Sequence, residues 1–175
     1  MLIKDRIRTI ADHPKPGIQF RDITTLLQDP VGLGLTIDKL VEQYTGVHID
    51  KVVGVEARGF IVGGALAHQI RAGFVPVRKK GKLPWHTIGQ DYDLEYGSDR
   101  VEMHTDAIAE GEKVLLVDDL IATGGTALAT LEMIQRTGGD IVGCAFVIDL
   151  PDLGGSRRIA GNGYRIASLC AFEGE

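Results

Sequence analysis

The chain has 175 residues, 44% of them hydrophobic and 25% charged, which is the composition of one globular domain, 1–175, with room for one core. No apolar run approaches the ~18 residues of a membrane span, and charges inside the first apolar positions argue against a signal peptide. The net charge of −5 argues against a general nucleic-acid binder, so an anionic ligand has to be held by local positive charge.

Leu2, Ile3, Arg6, Ile7 and Ile10 recur at helical intervals and predict a short amphipathic helix over 2–10, ended by His13-Pro14 and Lys15-Pro16. Residues 17–22 read as a turn and a short extended piece. Asp29-Pro30 opens a helix over 30–44, with Leu33, Ile37, Leu40, Val41 and Tyr44 on its apolar face. Lys51–Val55 is a buried strand, followed by Glu56-Ala57-Arg58-Gly59 and a helix to about Arg71. Gly63-Gly64 inside that helix costs about 1 kcal/mol per glycine against alanine, which predicts close packing on the sheet. Residues 74–77 form a third strand. Residues 78–99 are polar and glycine-bearing without a helical period, which predicts a long functional connection. Val101 and Met103 alternate like an edge strand. Val114–Val117 is a strand buried on both faces, and Ala127, Leu128, Leu131 and Ile134 carry a helix to the Gly138-Gly139 stop. Strands over 141–150 and 164–169 complete the series. Repeated strand–helix units predict a mostly parallel sheet covered on both faces, with sites beyond the strand C-termini. Cys144 and Cys170 lie in apolar strand-like surroundings without metal-ligand spacing, and read as buried reduced thiols of a cytoplasmic protein.

Chemistry concentrates after the central strand. Asp118 and Asp119 are followed by Leu120, Ile121 and Ala122, then by Thr123-Gly124-Gly125-Thr126 and a helix start. Such a turn offers free backbone N–H groups, two hydroxyls and the positive end of a helix dipole, which suits a phosphate monoester. The carboxylates suit sugar hydroxyls or a phosphate-bound metal. Neither the P-loop nor the dinucleotide fingerprint is present. An ordinary turn capped by Thr123 uses the same residues, and the acidic pair in front sets this one apart. Arg58, after a buried strand, either grips an anion such as diphosphate or pairs with Glu56. Arg78, Lys79, Lys80 and Lys82 form the dense basic cluster, either a solvated run or part of an anion site. Phe20 is either core or a stacking platform.

The string KVLLVDDLIATGGTA resembles the phosphoribosyl-diphosphate (PRPP) motif of the type I phosphoribosyltransferases. HPKPGIQFRDI, GKLP and Leu94-Glu95-Tyr96-Gly97 resemble segments of the adenine-using branch of that family. The resemblance implies an α/β fold, a mostly parallel sheet of about five strands flanked by helices. It also implies an N-terminal hood (1–28) at the base site and a mobile catalytic loop (79–99). The implied reaction is adenine + PRPP giving AMP + diphosphate, with Mg²⁺ held mainly through PRPP and no dedicated protein ligand. The implied setting is a cytoplasmic homodimer, without nucleic-acid or membrane partners.

By the same resemblance the 5′-phosphate and ribose fall to Ala122, Thr123, Gly124, Gly125, Thr126, Asp118 and Asp119. Diphosphate falls to Glu56, Ala57, Arg58, Lys79, Lys80 and Lys82, with a cis Glu56–Ala57 bond, and Arg58 is counted among the catalytic groups. Adenine falls to Gln19, Phe20 and Arg21, the lid to Tyr96, and the catalytic carboxylate to Glu95. The residues alone do not choose Glu95 over Asp91 or Asp93, nor proton handling over water exclusion as its role. A different base is the nearest alternative, and a PRPP-binding regulator a more distant one.

Overall fold

The continuous apolar runs become the parallel centre of one sheet, and the polar segments attach at its borders. The computed structural model describes residues 2–174. Its N-terminal part holds a single 3₁₀ turn (Ile3–Arg6), β1 (Arg8–Ile10), β2 (Phe20–Asp22) and α1 (Thr24–Leu27). Then come α2 (Pro30–Gln43), β3 (Lys51–Val55), α3 (Arg58–Ile70) and β4 (Gly73–Lys79), followed by β5 (Thr87–Leu94) and β6 (Gly97–His104). The chain closes with β7 (Lys113–Ile121), α4 (Gly125–Arg136), β8 (Asp140–Asp149), α5 (Gly155–Gly161) and β9 (Ile166–Ala171).

The sheet order is β5-β6-β4-β3-β7-β8-β9. The five strands β4, β3, β7, β8 and β9 are parallel, while β6 and β5 add antiparallel at the β4 side. Alternation along β7 feeds two cores. Val114 and Leu116 face α4 with its Leu131 and Ile134, and Leu115 and Val117 face α2 and α3 with Ile37, Leu40, Val62 and Leu66. Asp29 caps α2 by accepting from Val31 N (3.2 Å), with Pro30 in the first turn.

Three expectations are corrected. The helix over 2–10 is one 3₁₀ turn followed by a strand, because β1 pairs with β2, Arg8 opposite Asp22. A helix that short nucleates poorly, and strand pairing satisfies the same backbone groups. The connection 78–99 is mostly a hairpin of eight paired positions, from Thr87↔His104 to Leu94↔Gly97. Its apolar signal is sparse because only Ile88 and Tyr92 of β5 reach the core. For the same reason β6, with Val101 and Met103, is flanked on both sides, and β5 is the edge.

Of the glycine pair in α3, Gly63 packs as expected: a Cβ there would stand 2.9 Å from the Phe74 ring. Gly64 has nothing within 4 Å. The His13–Pro14 and Glu56–Ala57 peptide bonds are cis. Cys144 is buried and Cys170 partly so, and both are free thiols.

Candidate functional site

β3 and β7 run side by side, Gly54 opposite Val117, so Arg58 and the Asp118-Asp119 pair emerge together at the C-terminal edge of the sheet. Asp119 is 7% exposed, and its Oδ2 accepts from Arg58 Nε at 2.5 Å. Arg58 therefore pairs with Asp119 and not with Glu56. Asp118 Oδ1 accepts from Asp119 N (2.8 Å). A Cβ on Gly59 would stand 2.8 Å from that oxygen, so the glycine lets the start of α3 approach the carboxylate. Burial, then the neighbouring Asp119 charge, push the Asp118 carboxyl well above the usual range, with Arg58 opposing. The hydrogen bond to Asp119 holds the Arg58 guanidinium more firmly charged than usual. Adjacent in sequence, the two carboxylates are electrostatically different: Asp119, the more buried residue, has the cation, and Asp118 carries the raised carboxyl.

The turn after β7 is tied down carbonyl by carbonyl. Ala122 O accepts from Gly155 N (2.9 Å), and Gly124 O from Leu128 N (2.9 Å). Thr123 O accepts from Arg158 Nη1 (2.6 Å). Gly124 takes φ +90°, open to glycine at little cost. Among the described residues, no protein acceptor meets the N–H groups of Thr123 or Gly124, and the first N–H groups of α4 have no helical acceptor. The turn thus presents donors at the positive end of a helix dipole. It lines a cavity of about 720 Å³ that it shares with Asp118, Lys79, Glu95, Phe146 and Arg158.

The basic cluster is matched internally. Glu56 Oε2 accepts from Lys82 Nζ (2.7 Å) and Oε1 from Lys79 N (2.7 Å), with Arg78 Nε 3.5 Å from Oε1. Burial works against the Glu56 charge, but the Lys82 and Lys79 N–H groups outweigh it and hold the carboxyl below its usual value. Lys79 Nζ donates to Asp99 Oδ2 (2.6 Å) and to the Tyr92 hydroxyl. Lys80 is exposed, and its N–H donates to Arg100 O (3.2 Å).

Glu95 and Tyr96 form the hairpin tip between β5 and β6, Tyr96 being 85% exposed. Glu95 and Asp93 line the cavity, whereas Asp91 pairs with Arg100 (3.1 Å). Geometry therefore separates Asp91 from the other two. Gln19, Phe20 and Arg21 do not line the cavity. Phe20 is half-buried with its ring edge-to-face on His13 at 5.1 Å, and Arg21 donates to Thr9 Oγ1 and lies 4.4 Å over the Phe172 ring. Ala57, Arg58, Glu56, Asp119, Lys80, Lys82 and Tyr96 also lie outside its lining.

Among the lining residues given no site role from the sequence are Tyr92, Phe146 and Arg158. Their signals are Phe146 near the end of an apolar strand and the Gly154-Gly155-Ser156-Arg157-Arg158 run, a glycine turn heading two arginines.

A phosphoribosyl transferase domain model matches residues 33–159. The chain is 60% identical over 174 residues, 99% of each chain, to the adenine phosphoribosyltransferase of Maricaulis maris. It is 62% identical over 173 residues to that of Methylobacillus flagellatus, covering 99% of this chain and 98% of the relative. Among solved structures, the adenine phosphoribosyltransferase of Rhodothermus marinus superposes with TM-score 0.92 at 52% identity, over 97% of this chain and 96% of that one. The Saccharomyces cerevisiae enzyme, complexed with D-2,5-dideoxy-2,5-imino-altritol 1,6-bisphosphate and adenine, gives TM-score 0.88 at 36% identity, over 95% and 96%.

Proposed function

This chain belongs to the adenine phosphoribosyltransferase family, and from that premise we propose how its residues carry adenine + PRPP to AMP + diphosphate. The observation that carries the assignment of roles is one cavity beyond the strand ends. There a donor-rich turn, the Asp118 carboxyl, a lysine and the hairpin-tip carboxylate meet. The turn Ala122–Thr126 takes the 5′-phosphate, and Asp118 and Asp119 take the ribose hydroxyls, which fixes C1 between them and the hairpin. Arg58, Lys79, Lys80 and Lys82, with the loop at Glu56-Ala57, face the departing diphosphate and offset its growing charge. For that, Lys82 has to leave Glu56 and Lys79 has to leave Asp99. Carboxylates near C1 stabilise the positive charge that develops there. Gln19, Phe20 and Arg21 read adenine, through ring stacking and backbone groups. The hairpin tip at Glu95 and Tyr96 closes over the site, to manage the adenine proton or to exclude water.

Among the described residues no three carboxylate, imidazole or thiol groups converge as a metal cage. Asp118 and Asp119 are hard oxygen donors of the kind Mg²⁺ accepts when most of its ligands come from phosphates and water. They fit a Mg²⁺ carried on PRPP, and such an ion would supply charge neutralisation at the diphosphate. We further propose a homodimer, supported by Ile61, an apolar side chain 51% exposed on α3. A cytoplasmic setting is supported by two free cysteines whose thiols burial raises, Cys144 to about 12 and Cys170 to about 11. No helix among the described residues is long and apolar enough to cross a membrane.

The test offers adenine, hypoxanthine, guanine, xanthine and orotate in turn, each with PRPP and Mg²⁺, and follows nucleotide formation. AMP formed in strong preference is the expected result. A preference for a 6-oxopurine overturns the base assignment.

A further inference from the structure

We propose that Arg158 is a ligand of the substrate 5′-phosphate and, through its bond to Thr123, the clamp that keeps the phosphate turn open. The inference rests on the reading of that turn as the phosphate site. Arg158 lies on α5, thirty-five positions from its partner in sequence, and donates from Nη1 to Thr123 O at 2.6 Å. α5 is held against the turn at its first residue. Gly155 N donates to Ala122 O, and a Cβ on Gly155 would stand 2.5 Å from that oxygen and 2.7 Å from Gly124 N. Residues three apart on a helix share a face, so the contact at Gly155 delivers Arg158 to the same turn. In a trans peptide the carbonyl and the following N–H point in opposite directions. Holding the carbonyls of Ala122 and Thr123 on the α5 side thus turns the N–H groups of Thr123 and Gly124 away from it.

Charge balance gives Arg158 its second role. A phosphate monoester carries roughly −1.5 to −2 at neutral pH, and a helix N-terminus supplies the equivalent of about +0.5. The neighbouring cations are committed elsewhere: Arg58 to Asp119, Lys79 to Asp99 and Lys82 to Glu56. Arg158 lines the cavity and, among the described residues, forms no ion pair within 4 Å. Its guanidinium has five N–H donors and spends one on Thr123, leaving a fork suited to phosphate oxygens.

The experiment compares AMP and adenosine binding by calorimetry in the wild type, Arg158→Gln and Arg158→Lys, with KM for PRPP and for adenine measured beside them. Arg158→Gln is expected to weaken AMP and PRPP by about 10- to 100-fold, the worth of a charge-assisted hydrogen bond, with adenosine and adenine unchanged. Arg158→Lys should recover part of the loss, returning the charge without the fork. Equal losses for AMP and adenosine, or no loss in Arg158→Gln, would overturn the assignment. A wild type that binds AMP no better than adenosine would overturn the phosphate turn together with Arg158. If the wild type makes no nucleotide while Arg158→Gln still loses AMP selectively, the reaction fails and the Arg158 assignment stands.

Discussion

The unit from Lys113 to Arg136 and the hairpin from Thr87 to His104 both line one cavity, and they are held in different ways. β7 has a parallel neighbour on each side and a core on each face. The turn after it has three successive carbonyls tied down. The hairpin pairs with one strand, β4, at two positions, Arg78↔Glu102 and Lys79↔Val101, packs Ile88, Tyr92, Val101 and Met103 into the core, and leads to an exposed tip. Groups proposed to meet a phosphate with fixed geometry stand on the tied-down turn, and groups proposed to arrive and leave stand at the exposed tip, beyond the packed base of the hairpin.

Glu95→Ala sharpens that contrast most. In the proposed role, kcat falls by about 100-fold or more, the usual worth of a positioned acid–base group, while Tm and KM for PRPP stay at wild-type values. Steady-state kinetics with a melting curve reads both halves. An unchanged kcat removes Glu95 from the reaction, and a lowered Tm shows that the tip is structural after all.

Gly155→Ala probes the fixed side. The added Cβ meets the backbone of Ala122 and Gly124, atoms that cannot swing aside, so a destabilisation of about 1–3 kcal/mol is expected. KM for PRPP should rise more than KM for adenine, because the displaced atoms belong to the proposed phosphate turn. Denaturant titration and the two KM values decide it, and wild-type values for all would show that the turn is as compliant as the hairpin.

The same contrast governs what is legible in the sequence. A strand buried on both faces announces itself as Val114–Val117, and a turn needing left-handed backbone announces itself as Gly124. Both signals are local. Edge strand β5 sends only Ile88 and Tyr92 to the core and is exposed at Asp91, Asp93 and Leu94, so it carries no apolar run and reads as a connection. β1 and β2 exist through pairing between segments separated by a proline-rich turn, which helical spacing over 2–10 cannot reveal. Glu95 is singled out by family resemblance, since hairpin register decides which carboxylates face the cavity. Arg158 acts across thirty-five residues, and Arg58 pairs with Asp119 over the nearer Glu56, because side-chain partners follow the sheet order and not the chain order.

The smallest expected effect separates the two regions by the sign of a pH dependence. Burial and Asp119 hold the Asp118 carboxyl above its usual value, so folded protein keeps a proton that the unfolded chain loses near pH 4. As pH rises from there through the elevated folded value, stability falls, and the deficit persists at neutral pH. Asp99 on the hairpin is the reverse case. Hydrogen bonding from Lys79 lowers its carboxyl, so its contribution is present above about pH 4 and lost as pH falls through the lowered value. Asp118→Asn removes the buried charge and keeps an oxygen for the Asp119 N–H. It should be more stable than wild type near neutral pH by an amount on the order of 1 kcal/mol, since a tenfold change in proton affinity is worth about 1.4 kcal/mol. The gap should close toward pH 4, while PRPP turnover drops through loss of ribose recognition. Urea titrations near pH 7 and pH 4 measure it. A gap that is absent at neutral pH, or that persists unchanged in acid, means that Asp118 carries no burial cost, and the fixed side of the cavity then gives up no stability to hold its substrate.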